Sequence, residues 1–229
     1  HEDLAEIAVK NHEHALPNEY AQMQQEITVE DALDAPTIAD PLGLYDSCPI
    51  TDGATAAVIT SAEYADEHDL DASVAVTGTG QGGDKMALHD RQYLARTPAT
   101  ADAADEAYAD AGIGPEAVDF LEVHDCFTIA EVLALEALGL YEYGDAIGAA
   151  RRGETTREGD LPVNLSGGLK AKGHPVGATG VAQLISLTKL LEGRHPRADA
   201  VSDGTTALAH NAGGTVASAT VHVLQEVDG

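Results

Sequence analysis

The 229-residue sequence has no tryptophan, two phenylalanines, two methionines and two cysteines, and aromatic residues make up only 4% of it. Lysine and arginine together number 12 against 39 aspartates and glutamates, a net charge of −27. The two cysteines, Cys48 and Cys126, are too few for a disulfide framework and fit a reducing, cytoplasmic compartment. The shortage of cations argues against nucleic acid as a partner, because phosphate backbones are bound by basic surface. No apolar run approaches the ~20 residues that cross a bilayer, so no membrane partner is expected. The chain opens on His1 rather than Met and no charged-then-apolar leader follows, which fits a fragment boundary or a processed end.

What is present is a globular composition: 44% hydrophobic, long enough to bury a substantial core. The acid is dispersed through nearly every polar segment, as in residues 101–106, so an acidic tail is not the explanation. Dispersed acid with five lysines suits a high-salt cytoplasm, where screening acts over a few ångströms, and a halophilic source is expected.

Residues 1–16 carry helical periodicity, with Leu4, Ile7, Ala8 and Ala15 on one side and charge on the other, until Pro17 ends the run. Residues 18–43 are polar and irregular, with a short helix expected after Thr28 as N-cap. Ala54–Ser61 reads as a buried strand and 62–69 as a helical connector. A strand–helix rhythm then begins. Strands are expected at 74–78, 119–123, 205–210 and 216–224. Helices are expected at 99–112, 128–138, 145–152 and 178–191. The last two strands, joined through residues 211–214, suit an antiparallel pair. The alternation implies a layered α/β fold.

Three segments carry chemistry. HisAspCysPhe, 124–127, lies where a strand gives way to a helix, the end at which α/β sheets build their sites. Cys126 there stands close to a helix N-terminus, whose dipole, with a protonated His124, favours thiolate and acid–base work. The plainer reading is a buried cysteine beside a helix-capping Asp125. The run 167–180, GlyGlyLeuLysAlaLysGlyHisProValGlyAlaThrGly, holds His174 in a glycine-dense loop stiffened by Pro175, with Gly177 and Gly180 permitting close approach. Its competing reading is an anion cradle at a helix start. AlaHisAsnAlaGlyGly, 209–214, offers His210 and Asn211 and the backbone N–H groups of Gly213 and Gly214, which suit an oxyanion, or else simply a hairpin turn. GlyThrGlyGlnGlyGly, 78–83, follows a strand but lacks the apolar helix of a dinucleotide loop. The triplet 164–166 matches a glycosylation sequon with nothing else pointing to secretion.

In this order and spacing, HisAspCysPhe, GlyHisProValGlyAlaThrGly and HisAsnAlaGlyGly resemble the thiolase superfamily, above all its sterol-carrier-protein-type branch and archaeal relatives. The stretch 41–58, ProLeuGlyLeuTyrAspSerCysProIleThrAspGlyAlaThrAlaAlaVal, resembles that branch too. The resemblance implies a thiolase fold with its C-terminal half complete, a layered mixed sheet with helices on both faces. Residues 1–42 would be the end of the loop domain, 43–71 the closing strands of an incomplete N-terminal half, and 72–229 the C-terminal domain. It implies an acyl-CoA C-acyltransferase making or cleaving a 3-ketoacyl-CoA such as acetoacetyl-CoA. Coenzyme A thioesters would be substrates, with no permanent cofactor and no metal. A homodimer or homotetramer is implied, with a complex with another acyl-CoA enzyme as a further partner. By position, His174 resembles the histidine that activates the nucleophile, Cys126 the acid–base cysteine, His124 the second oxyanion histidine, and Gly213 or Gly214 the other oxyanion donor. His210 and Asn211 would support them. Gly167 and Gly168, with Lys170, Lys172, Arg91 and Arg96, are candidates to face coenzyme A. The acyl-accepting cysteine belongs to a segment absent here, and Cys48, between Ser47 and Pro49, resembles a packing position. The chain alone is therefore expected to be inactive. The alternatives are a ketoacyl or hydroxymethylglutaryl synthase, a non-catalytic thiolase-like subunit binding acyl-CoA or scaffolding a partner enzyme, and a metal site at His124, Cys126, His174 and His210, against which the lack of short-range ligand pairs argues.

Overall fold

A computed structural model describes residues 1–70 and 72–227. Helix α1 (Glu2–Ala15) is followed by α2 (Val29–Asp34), which Thr28 opens with a capping box closed by Asp31. A small hairpin, β1 (Thr37–Ala39) and β2 (Leu42–Gly43), comes next. Then come α3 (Ala62–Glu67), β3 (Val74–Gly83), α4 (Pro98–Ala111), β4 (Phe120–Glu122), α5 (Thr128–Ala137), α6 (Ala146–Arg151), α7 (Thr179–Leu191), β5 (Thr206–Gly213) and β6 (Ser218–Glu226).

Four strands make one mixed sheet in the order β3-β6-β5-β4, antiparallel except for the β4–β5 pair. Side chains alternate across it, as the strand period requires. Leu208, Ala212, Val221 and Val223 pack with α4 and α5, while Ala207, Ala209 and Leu224 pack with Leu187 and Leu190 of α7. The expected mixed sheet with helices on both faces is therefore present.

The glycine run 78–83 is neither a loop nor a phosphate cradle. It continues β3, and its glycines at every second position, 78, 80 and 82, face α4. A Cβ on Gly78, Gly80 or Gly82 would run into the backbone of Ala107, Ala103 or Ala99, four residues apart along one face of α4. Alanine on the helix and glycine on the strand let the two backbones touch, and that contact explains the glycines of 78–82 and the alanines of α4 that face them.

Two expectations fail. Ala54–Ser61 forms no strand. It has no regular secondary structure and is exposed, with Val58 bare and Ile59 76% exposed. Its apolar pattern asks for a partner strand, and none of the described residues pairs with it. Helix α1 turns only part of its polar side to water: Ile7, Ala8 and Ala15 are buried and Glu2 and Glu6 exposed as expected, but Lys10, Asn11, His12 and His14 are buried as well. The boundary expected at 71/72 falls on a residue outside the described set, as do 228 and 229. Among the described residues no helix is long and apolar enough to cross a membrane.

Candidate active site

The buried strand β4 delivers the chain to His124, Asp125 and Cys126 before α5 begins at Thr128. Asp125 does not cap α5. Its carboxylate accepts the backbone N–H groups of Leu169 (2.6 Å) and Lys170 (3.3 Å) and an N–H of Asn11 (2.8 Å). It thereby ties the end of β4 to the tight turn Gly168–Lys172, which leads directly into His174. The result is a meeting of the first two motifs. The rings of His124 and His174 stand edge to face, centroids 4.9 Å apart at 90°.

Each ring is held from behind. His174 Nδ1 lies 2.8 Å from the Thr179 hydroxyl, which itself donates to the Pro175 carbonyl (3.1 Å). Asn211 of β5 places its side-chain nitrogen 3.3 Å from His124 Nδ1 and 3.1 Å from Gln183 Oε1. Gln183, buried on α7, donates to the carbonyl of His210 (3.0 Å). The third motif thus joins the other two through Asn211. His210 turns to the opposite face of β5, where its Nε2 meets Thr100 of α4 at 3.1 Å, and its Nδ1 reaches the His124 backbone N–H only at 3.5 Å.

Cys126 is half-buried, and its carbonyl accepts the N–H of Cys48 at 3.0 Å. Ser47 is bridged antiparallel to Phe127, which sets Cys48 directly opposite Cys126, and Ile50 is bridged to His174. The connector 47–50 therefore runs between the two motif segments. Cys48 borders the site rather than packing elsewhere.

The electrostatics differ from the expected poised thiolate. Burial, then the neighbouring Cys48 and Asp125, push the Cys126 thiol up to about 11. The helix start does not outweigh this, and no imidazolium is at hand: burial first, and His174 second, bring His124 down to about 4. Burial lowers His174 as well, and takes His210 to about 3. At neutral pH the site holds a protonated thiol and neutral imidazoles, a set suited to giving and taking protons without fixed charge. Asp125 is raised to about 7 by burial and by Glu131.

The glycines separate by role. Gly213 shares the Asn211 face of β5 and has open space beside it, whereas Gly214 (φ +59°) turns towards Met86. Gly167 and Gly168 lie buried against Ala15 and the Asp125 carboxylate, so close packing accounts for both glycines. Gly180 lets the first turn of α7 approach Asn211. Of the cations proposed for coenzyme A, Lys170 is buried with its ammonium 5.3 Å from the Tyr45 ring. Lys172 bonds Ser166, and Arg91 bonds the Thr215 carbonyl. Arg96 stacks between Tyr93 and Tyr143. Among the described residues no three His, Cys, Asp or Glu side chains converge as metal ligands.

The sequence reading missed the buried network behind the site. Glu131 of α5 pairs with Lys10 and accepts from Asn11 (3.2 Å) and Asn164 (3.0 Å), while Asn164 also accepts the Val123 N–H (2.9 Å). Asn164 is fully buried, which rules it out as a glycosylation acceptor in this fold. Gln183 was missed too. The available signal was a polar residue on the apolar face of a helix with the Leu187 and Leu190 spacing.

Residues 80–226 match the family described as "Thiolase C-terminal domain-like". The chain is 43% identical over 223 residues to an acetyl-CoA acetyltransferase of Methanothermobacter thermautotrophicus, covering 97% of this chain and 58% of that protein. It is 36% identical to the benzoylsuccinyl-CoA thiolase subunit BbsB of Thauera aromatica, covering 93% of this chain and 55% of that one. It is 35% identical to sterol carrier protein 2 of Rattus norvegicus, covering 93% and 39% respectively. Among solved structures, the Ltp2-ChsH2(DUF35) aldolase superposes with a TM-score of 0.86 at 25% identity, over 98% of this chain and 58% of that one. The chain thus spans between 39% and 58% of the length of these curated relatives. Its fold, its ordered motifs and the match over most of its length agree: this chain belongs to the thiolase family.

Proposed function

We propose that this chain supplies the acid–base and oxyanion side of a thiolase site that condenses or thiolytically cleaves a 3-ketoacyl-CoA, with acetoacetyl-CoA as the simplest substrate. The observation that carries it is the convergence of His124, His174 and Asn211 from three distant segments, with Cys126, two residues beyond His124, keeping its proton. In the chemistry proposed, an acyl group is held on a cysteine thioester and a second acyl-CoA loses an α-proton to attack it. Cys126 first gives its proton to the coenzyme A thiolate that leaves as the acyl group is transferred, and as the resulting thiolate it then takes the α-proton. His174 takes the proton of the nucleophilic thiol, and His124 with the Gly213 N–H steadies oxyanions.

The nucleophile itself comes from polypeptide that these 229 residues do not contain. Support comes from the exposed, unpaired segment 54–61 and from a cavity of about 630 Å³ beside the His174 loop, bordered by Thr55, Pro175, Ile185 and Lys189. The test is thiolysis of acetoacetyl-CoA. The 229-residue chain should be inactive, and the protein completed to the length of its relatives active. Cys126→Ala in that complete protein should lose about 10²–10⁴ in rate. Full activity of Cys126→Ala, or turnover by the short chain alone, refutes the assignment. A second reading, a thiolase-like subunit that works through a partner, draws on the same exposed Val58 and Ile59 and on the missing nucleophile. It is favoured if the completed protein binds acyl-CoA but needs a second protein to turn it over.

A further inference from the structure

Three residues stand in line behind His124, and each fixes the next. The first is a backbone carbonyl, that of His210, which can only accept a hydrogen bond. The Gln183 nitrogen 3.0 Å from it must therefore be the amide NH₂, so the other end of that side chain, Oε1, faces Asn211. An amide oxygen only accepts as well, so Asn211 must present its own NH₂ to Gln183 at 3.1 Å. The second hydrogen of that NH₂ then points at His124 Nδ1, 3.3 Å away. A nitrogen that receives a hydrogen bond carries no proton. Amide orientations are assigned from such networks, and here the assignment starts from an atom that cannot be flipped.

His174 is set the other way round. The single hydrogen of the Thr179 hydroxyl is used on the Pro175 carbonyl, so the 2.8 Å contact is a donation from His174 Nδ1–H to Thr179. Its Nε2 is left with a lone pair.

We propose that Gln183, acting through Asn211, is a positioning residue that holds His124 as the Nε2–H tautomer, while Thr179 holds His174 as the Nδ1–H tautomer, so that the facing rings present one donor and one acceptor to the same substrate. One ring can then hydrogen-bond an oxyanion while the other accepts a proton, and no charge need be placed in a buried site to distinguish them. Gln183 is fully buried and bonds nothing but this relay, which gives a polar residue on the apolar face of α7 a purpose. The assignment of His124 as an oxyanion donor rests on the thiolase reading. The tautomers do not.

The test is nitrogen NMR of the histidine rings in the 229-residue chain, which reports tautomers directly without turnover. Wild type should show His124 protonated at Nε2 and His174 at Nδ1. Asn211→Asp replaces the donor by an acceptor of equal size and should move the His124 proton to Nδ1. Gln183→Leu frees Asn211 to rotate and should give a mixture. His195, whose Nδ1 accepts the Arg197 N–H at 3.1 Å, should keep its signal in all of them and reports an intact fold. Finding His124 as the Nδ1–H form in wild type, or unmoved in Asn211→Asp with His195 unchanged, overturns the relay. In the completed protein, Gln183→Leu and Asn211→Asp should lower kcat by about 10²–10³ with little change in KM, the effect of losing one oxyanion donor. If the tautomer inverts and kcat holds, the relay stands and the oxyanion role of His124 falls.

Discussion

Replacing Gly80 by alanine should damage both stability and the distant histidine pair. A Cβ at residue 80 would stand 2.8 Å from the Ala107 nitrogen and 2.9 Å from the Ala103 carbonyl carbon, and closer still to the Ala103 oxygen. These are backbone atoms in mid-helix and cannot rotate away, so α4 must lift from the sheet by something on the order of 1 Å to restore normal contacts. Overpacking of this kind typically costs about 1–3 kcal/mol, and the rigid neighbours put Gly80→Ala at the upper end. The stiffer unfolded chain returns about 0.4–1 kcal/mol. A net loss of about 2 kcal/mol corresponds to a melting temperature lower by roughly 4–8 °C for a chain of this size. The lift also carries Thr100, one turn before Ala103, away from His210, whose other ring nitrogen faces the His124 backbone N–H. Urea unfolding measures the first effect, and the ring signals of His124 and His210 the second. Gly83→Ala is the control, because its Cβ would meet only the Ala217 oxygen at 3.9 Å. Equal stability of Gly80→Ala and Gly83→Ala would refute the claim that glycines seat α4 on β3.

Two further outcomes follow from buried polar groups. The imidazoles of His12, His14, His124 and His210 are held down to about 4, 3, 4 and 3 by burial, against about 6.5 in an unfolded chain. Their stabilisation is complete above pH 6.5 and is lost as pH falls towards 4. Asp125, raised to about 7, opposes them, contributing fully below about pH 4 and losing its effect as pH rises through 7. Four groups against one should leave unfolding free energy lower at pH 5 than at pH 6.5 by on the order of 3 kcal/mol, measured in 1 M salt to screen the acidic surface, and a flat profile would contradict it. Asp125→Ala strands the N–H donors of Leu169, Lys170 and Asn11. It should cost about 3 kcal/mol and speed hydrogen exchange at Leu169 and Lys170, and unchanged protection there would show that the carboxylate does not tie the loop.

The sequence made most elements of the sheet and its helices legible because they bury their apolar residues inside this chain. Helix α7 and strands β5 and β6 begin and end within a few residues of their expected positions, and Thr28 caps α2 as its side chain suggests. Segment 54–61 has the same kind of pattern and no strand. A strand exists through hydrogen bonds to a neighbour, and periodicity reports that a partner is required without reporting whether one is present. The burial of Lys10 and His14 escaped the same logic from the other side. Polar residues were assigned to water, and only the fold reveals that Glu131 and the Asn164 carbonyl wait to receive them.

The site shows a similar division. His124, Cys126 and His174 stand out in sequence because glycines and a proline surround them or a helix begins beside them. Their chemical states do not stand out, because those depend on burial and on second partners from other segments. A helix start suggested a thiolate at Cys126, but desolvation and the acidic company of Asp125 outweigh a partial charge at a helix end, and the thiol keeps its proton. Two histidines of identical chemistry are given opposite tautomers by Thr179, five residues from His174, and by Gln183, which reaches His124 only through a side chain of β5. Motif residues identify the groups proposed to react, whereas the residues that assign each proton to a particular nitrogen are ordinary threonine, asparagine and glutamine, distinguishable from surface polar residues only by what they touch.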